Sequence, residues 1–176
     1  MKEKVLTPFI NKNVLTEQAL YFGDVSMPPG FEIDQTKLTN DILQSTLKDI
    51  KFPFSRPWDM LSSYVTEHIN VKHNLNLISK ETWGTIYKPN EVSIPLLNID
   101  PIDLTNSPDF TLLYGVNVKE CIVRIHYDDN RRKGRSWDMP LTNNMFVLFP
   151  STNMYYISNN QKNSLNFIQT ITYEYI

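Results

Sequence analysis

The sequence predicts an α+β fold, with two N-terminal helices packed against a double antiparallel sheet. Three observations point there. Apolar residues recur at helical spacing between residues 34 and 69. From about residue 77 the period changes to two, and short runs rich in Ile, Val, Tyr, Phe and Thr follow, separated by Asn, Gly, Pro and Asp clusters. The chain of 176 residues is 41% apolar and 20% charged, an ordinary globular composition long enough to bury one substantial core.

Residues 1–33 read as an extended arm. Pro28, Pro29 and Gly30 in "SMPPGFEID" forbid a long helix there, and such an arm can lie across a sheet or reach a neighbouring subunit. Asp34 is the expected N-cap of a first helix, "DQTKLTNDILQSTLKDI", whose apolar stripe is Leu38, Ile42, Leu43, Leu47 and Ile50. Pro53 and Pro57 turn their predecessors away from helix and end it. Ser55 can cap a second helix, "SRPWDMLSSYVTEHI", with Pro57 in its first turn and Trp58, Leu61, Tyr64, Val65 and Ile69 on its buried face. The expected strands are "NLISKETWGTIY", "VSIPLLNI", "DFTLLYGVNV", "ECIVRIHY", "WDMPL", "NMFVLF", "NMYYIS" and "NFIQTITYEYI". Eight short strands after two helices predict a jelly-roll or double-stranded β-helix core. No linker, repeat or low-complexity segment divides the chain. The expected organisation is one domain, 1–176, with an arm over 1–33, helices over 34–76 and the β core over 77–176.

Several function classes are disfavoured. A formal net charge of -2 argues against a dominant nucleic-acid or membrane-surface role. No window approaches eighteen uninterrupted apolar residues, so no membrane span is expected. The opening "MKEKVLTPFINKN" has no long apolar run, so no secretory signal is expected and an intracellular place is. Cys121, the single cysteine, cannot form an internal disulfide or a thiolate zinc site and reads as a small buried hydrophobe. There is no dinucleotide or Walker glycine pattern, no G-x-S-x-G elbow and no H-E-x-x-H.

Two stretches hold candidate chemistry. In "HYD", His126 and Asp128 are spaced i, i+2, which puts them on one face of a strand. With His68 or His73 they could form a two-His, one-carboxylate site if the second helix closed over the sheet. The plain alternative is a strand-end histidine and a turn-capping aspartate. In "DDNRRKGRSW", Arg131, Arg132, Lys133 and Arg135 follow Asp128 and Asp129. They read either as a solvated hairpin tip or as a docking loop for an acidic protein surface or phosphate, with Trp137 as an aromatic anchor.

The late stretch "NNMFVLFPSTNMYYISNN" carries a strand, a Phe-Pro-Ser corner and a second strand, with Leu148, Phe149, Pro150, Ser151, Ile157 and Asn160 as its marks. "ETWGTIYKPNE" is a Trp-bearing strand with Trp83, and "ECIVRIHYDDNRR" is a later strand that ends in a polar turn. By these residues and the order of elements, the chain resembles the 2-oxoglutarate/Fe(II) dioxygenase superfamily, in particular the small hydroxylase-like proteins of tailed phages. The resemblance covers roughly residues 77–176 well and the helices loosely. Members hold iron with two His and one carboxylate on one face. The resemblance places the distal histidine at Tyr155 and the His-x-Asp pair in "EVSIPLLN", where Ile94, Pro95, Leu96 and Leu97 stand. It places the cation that clamps 2-oxoglutarate in "NSLNFIQ", where Ser164, Leu165 and Asn166 stand. A phenol with a pKa of about 10 is a poor Fe(II) ligand.

The resulting expectation is a non-catalytic binding or assembly protein without a cofactor, its pocket filled by packing. The resemblance implies a phage virion component such as a neck, tail or baseplate piece, present in the host cytoplasm during assembly and then in the virion. Other protein subunits are the expected partners, with the arm and the C-terminal "TYEYI" as contact material. One alternative is an active Fe(II)/2-oxoglutarate hydroxylase built on His126, Asp128 and His68. Another is a cupin-like small-molecule binder whose mouth is lined by Trp83, Tyr87 and Tyr155.

Overall fold

The computed structural model describes residues 18–48, 55–127 and 134–176. Its elements, in chain order, are β1 (Tyr21–Asp24), α1 (Gln35–Lys48), α2 (Arg56–His73), β2 (Leu77–Tyr87), β3 (Phe110–Asn117), β4 (Cys121–Tyr127), β5 (Arg135–Leu141), β6 (Met145–Pro150), β7 (Tyr155–Asn159) and β8 (Asn166–Tyr175). Two antiparallel sheets result: a five-stranded one ordered β1-β6-β3-β8-β2 and a three-stranded one ordered β5-β4-β7. This is the helix-on-double-sheet α+β arrangement the periodicity predicts. No helix among the described residues is long and apolar enough to cross a membrane.

Local chemistry sets the helix starts. The Asp34 carboxylate accepts from the Lys37 amide at 2.9 Å, so it caps α1 as expected. Pro57 opens α2 without an N–H to waste, and Asn74 closes it in the left-handed region at φ 53°. The α1 stripe is narrower than the sequence indicates. Leu38 and Ile42 are buried, whereas Leu43 and Leu47 are exposed and Ser45 takes a buried place. Ile50 lies outside the described residues. The arm contributes a strand, because β1 pairs with β6 from Tyr21↔Leu148 to Asp24↔Met145.

Strand alternation separates two cores. Leu112, Tyr114, Ile171 and Tyr173 face the helices and pack with Trp58, Leu61 and Val65. Their neighbours Leu113, Val147, Phe149 and Ile168 face the small sheet and pack with Val123, Ile125, Tyr155 and Ile157. The large sheet is therefore buried on both faces, and β3 and β8 are buried along nearly their whole length. This placement corrects the expectation for the C-terminus. β8 lies between β3 and β2, and Tyr173 is fully buried, so the strand is central and has no free edge to offer. At its end Glu174, Tyr175 and Ile176 are exposed.

"VSIPLLNI" does not form a full strand. It touches β7 through isolated bridges, Val92↔Ser158 and Leu96↔Tyr155. Pro95 lacks the N–H a continuous ladder needs.

Helix α1 approaches β2 so closely that only glycine fits at position 84. A Cβ on Gly84 would lie 2.3 Å from Ile42 Cγ1. Gly84→Ala should destabilise the protein by about 1–3 kcal/mol, as overpacking does. On an Ile42→Ala background the same change should have a much smaller effect, a coupling that urea denaturation of the four proteins in a double-mutant cycle will measure.

Candidate functional site

The site forms where β6 turns into β7. After Pro150, the Ser151 amide donates to Asp109 O at 2.8 Å and the Asn153 amide to Pro150 O at 3.0 Å, which fixes the corner. Tyr155 begins β7 with its ring turned inward, 3% exposed and edge-on to Phe149 at 5.1 Å. Residues 92–98 run beside it. Ser93 N donates to Ile157 O at 2.8 Å, and Leu96 exchanges two backbone bonds with Tyr155 at 2.9 and 3.0 Å. The Asn98 amide nitrogen donates to Tyr155 Oη and to Thr111 Oγ1, both at 3.1 Å. The Thr111 and Ser151 hydroxyls share a further bond at 2.8 Å. The two stretches to which the resemblance assigns the iron ligands thus meet in space.

What meets there is not a metal site. A two-His, one-carboxylate centre needs imidazole nitrogens and a carboxylate on one face. The side chains present are Leu96, Asn98 and Tyr155, and both donors of the Asn98 amide are already committed. Burial raises the Tyr155 pKa, only partly offset by the Asn98 bond, so the phenol stays neutral around pH 7. The Tyr87 phenol is raised further, first by burial and then by the Tyr155 phenol beside it. These residues do not fit an Fe(II) ion. Among the described residues, no group of three or more His, Cys, Asp or Glu side chains is placed to hold a metal.

The cosubstrate end does not fit either. Asn166 is fully buried, and its side-chain oxygen accepts from the Lys119 amide at 3.1 Å. The Asn159 amide bonds the carbonyls of Tyr87, Lys88 and Ser164 at 3.1, 2.9 and 2.9 Å. Amides tie this end together where a dicarboxylate would need a cation.

The residues singled out in the sequence fall in different places. His126 is on the outer face of the small sheet, its ring 5.2 Å from Tyr156, since Cys121, Val123 and Ile125 take the inward positions of β4. His68 is exposed on α2, stacked on Tyr64 at 4.0 Å, and His73 packs against Tyr21 at 4.9 Å. The helices cover the opposite side of the large sheet, so both sheets separate His126 from His68. Asp128, Arg131, Arg132 and Lys133 lie outside the described residues. Arg135 and Trp137 belong to β5, where Trp137 meets Phe22 edge-on at 5.9 Å. Tyr87 and Tyr155 are buried in the inter-sheet core, and Trp83 is half-buried on β2. Sequence reasoning missed Asn98 and Thr111. The available signal was an asparagine two residues beyond Leu96, in register to share its face.

The network has measurable consequences. Tyr155→Phe removes the acceptor of the Asn98 bond and should destabilise the protein by about 1–2 kcal/mol, with Asn98→Ala non-additive in the same cycle. Cys121, in the same interior, is pushed by burial up to about 12 from 9.0. The thiol is neutral when protonated, so the native state keeps its proton after the unfolded state has released it. Its contribution is complete below the unfolded value and fades as pH rises above about 9. A thiol reagent at about pH 8 should therefore leave the native protein unmodified and label Cys121 fully in urea.

No protein-family model matches the chain, and no curated protein does. Solved structures do. A prolyl-4-hydroxylase from Pseudomonas putida aligns with a TM-score of 0.63 at 13% identity, over 89% of this chain and 88% of that one. The viral collagen prolyl hydroxylase of Paramecium Bursaria Chlorella virus-1 aligns at 0.59 and 14% identity, over 88% and 94%. The non-heme alpha ketoglutarate dependent epimerase SnoN, from nogalamycin biosynthesis, aligns at 0.61 and 6% identity, over 89% and 77%. The chain therefore has the jelly-roll fold of the 2-oxoglutarate/Fe(II) oxygenases, and carries Leu96, Asn98 and Tyr155 where the resemblance expects their iron.

Proposed function

We propose that this chain is a non-catalytic binding or assembly protein that uses the oxygenase fold as a scaffold. The observation that carries this reading is the Asn98–Tyr155 hydrogen bond at the place the resemblance gives to the metal. Side chains and amides occupy the interior, so binding falls to the outer surface. Arg135 and Trp137 are proposed to contribute to docking, with Arg131, Arg132 and Lys133 just before them in the sequence. The proposed partners are other protein subunits. The proposed setting is a phage particle, as a neck, tail or baseplate piece made in the host cytoplasm. Support for that setting is the resemblance to small phage proteins of this fold, and the viral origin of one structural relative.

The second reading is an active hydroxylase that takes Fe(II) and 2-oxoglutarate. It is favoured by the fold shared with two prolyl hydroxylases, one of them solved as a 2OG complex. One experiment separates the two. The purified chain is loaded anaerobically with Fe(II) and 2-oxoglutarate, then exposed to oxygen. The assembly reading expects no visible charge-transfer band and no succinate above a protein-free control. A band that saturates with protein, or succinate formed in step with it, establishes the enzyme instead.

A further inference from the structure

We propose that a groove between residues 26–31 and the outer side of α2 docks a short amphipathic segment of a partner protein, with apolar anchors and a cationic flank. Met27 and Phe31 form one wall; Met60 and Tyr64, one helical turn apart, form the other. The groove has a volume of about 740 Å³, room for several large side chains. Phe31 is 52% exposed, a large apolar surface that no described residue covers. The two methionines are unbranched and polarisable, which suits a wall that must fit an incoming side chain. The groove is also preformed. The Ser26 amide donates to Tyr64 Oη at 3.1 Å and ties the extended segment to the helix, so little ordering remains to be done on binding.

Charge selects the partner. Asp59 and Glu67 line the helical wall eight residues apart, which is roughly 12 Å along the axis. Among the described residues, neither carboxylate has an ion-pair or hydrogen-bond partner. Arg56 sits at the α2 start of the groove, and the His68 ring is occupied, stacked on Tyr64 with Nδ1 2.8 Å from Tyr64 O. A segment with Lys or Arg about two turns apart would meet both free carboxylates while its apolar face filled the floor, the helix-in-groove mode. The same carboxylates repel phosphate, which disfavours nucleic acid and anionic lipid here. The proposal extends the assembly reading by naming a surface and the chemistry of what it takes. It rests on residues remote from Tyr155.

The test uses the full chain and two labelled amphipathic peptides that share leucines at i, i+4 and i+7 and differ only in flanking Lys or Glu. Fluorescence anisotropy should show the Lys peptide saturating and the Glu peptide binding at least about tenfold more weakly, a difference of about 1.4 kcal/mol. Asp59→Asn with Glu67→Gln should erase that difference. Met60→Lys should abolish binding of both peptides, with an unchanged melting temperature showing that the variant folds. Equal binding of the two peptides, no binding of either, or binding that survives Met60→Lys overturns the proposal. So does a light-scattering mass showing a dimer that Met60→Lys dissociates, since a second copy would then own the groove. Iron bound at Tyr155 would overturn the assembly reading and leave this result unmoved.

Discussion

The phenol of Tyr155 stands at the junction of three structural features: the corner after Pro150, the inter-sheet core, and the 92–98 segment beside β7. Its backbone holds Leu96, its ring packs edge-on to Phe149, and its hydroxyl accepts from Asn98. A buried phenol is stable only while its hydroxyl has a partner, and Asn98 supplies one. Pro95 interrupts the pairing of 92–98, so this side-chain bond secures a segment that the ladder alone does not. An oxygenase would use a cation at this junction. Here neutral hydrogen bonds and close packing serve, and they need no ion.

Closing the interior gives weight to the outside. The large sheet is sealed on one face by α1 and α2 and on the other by the small sheet. Under the proposed assembly reading, recognition falls to the far side of α2, the outer face of the small sheet and the rims between elements. Those surfaces differ in character. On the outer face of the small sheet Arg124 and Asp138 neutralise each other through two 2.6 Å bonds. An exposed pair of this kind contributes little stability and leaves little net field. The α2 groove combines apolar walls with two carboxylates that no described residue pairs, the combination of anchor and selectivity on which the docking proposal rests.

Much of this was legible in the sequence because the governing signals are local. The Asp34 cap, the Pro57 start and the alternation of β4 and β7 depend on neighbours a few residues away, and all appear in the structure. The errors came from tertiary context. Leu43 and Leu47 have helical spacing but fall outside the contact arc that α1 makes with the sheet. Tyr173 alternates like an edge residue, yet β8 is central because β2 and β3 both pair with it. Residues 21–24 are too short and too mixed to declare a strand, and become one only through β6. At the site, the identity of Tyr155 could be read directly. The role of Asn98 could not, since its partner Tyr155 is 57 residues away.

The central claim is that the ligand positions are closed and hold no iron. The most direct measurement is the metal content of the protein purified without chelators from its natural source, by elemental mass spectrometry across the gel-filtration peak. The account predicts iron at trace level with no maximum under the protein. Iron co-eluting at about one atom per chain would contradict it, because the site would then be a working metal centre.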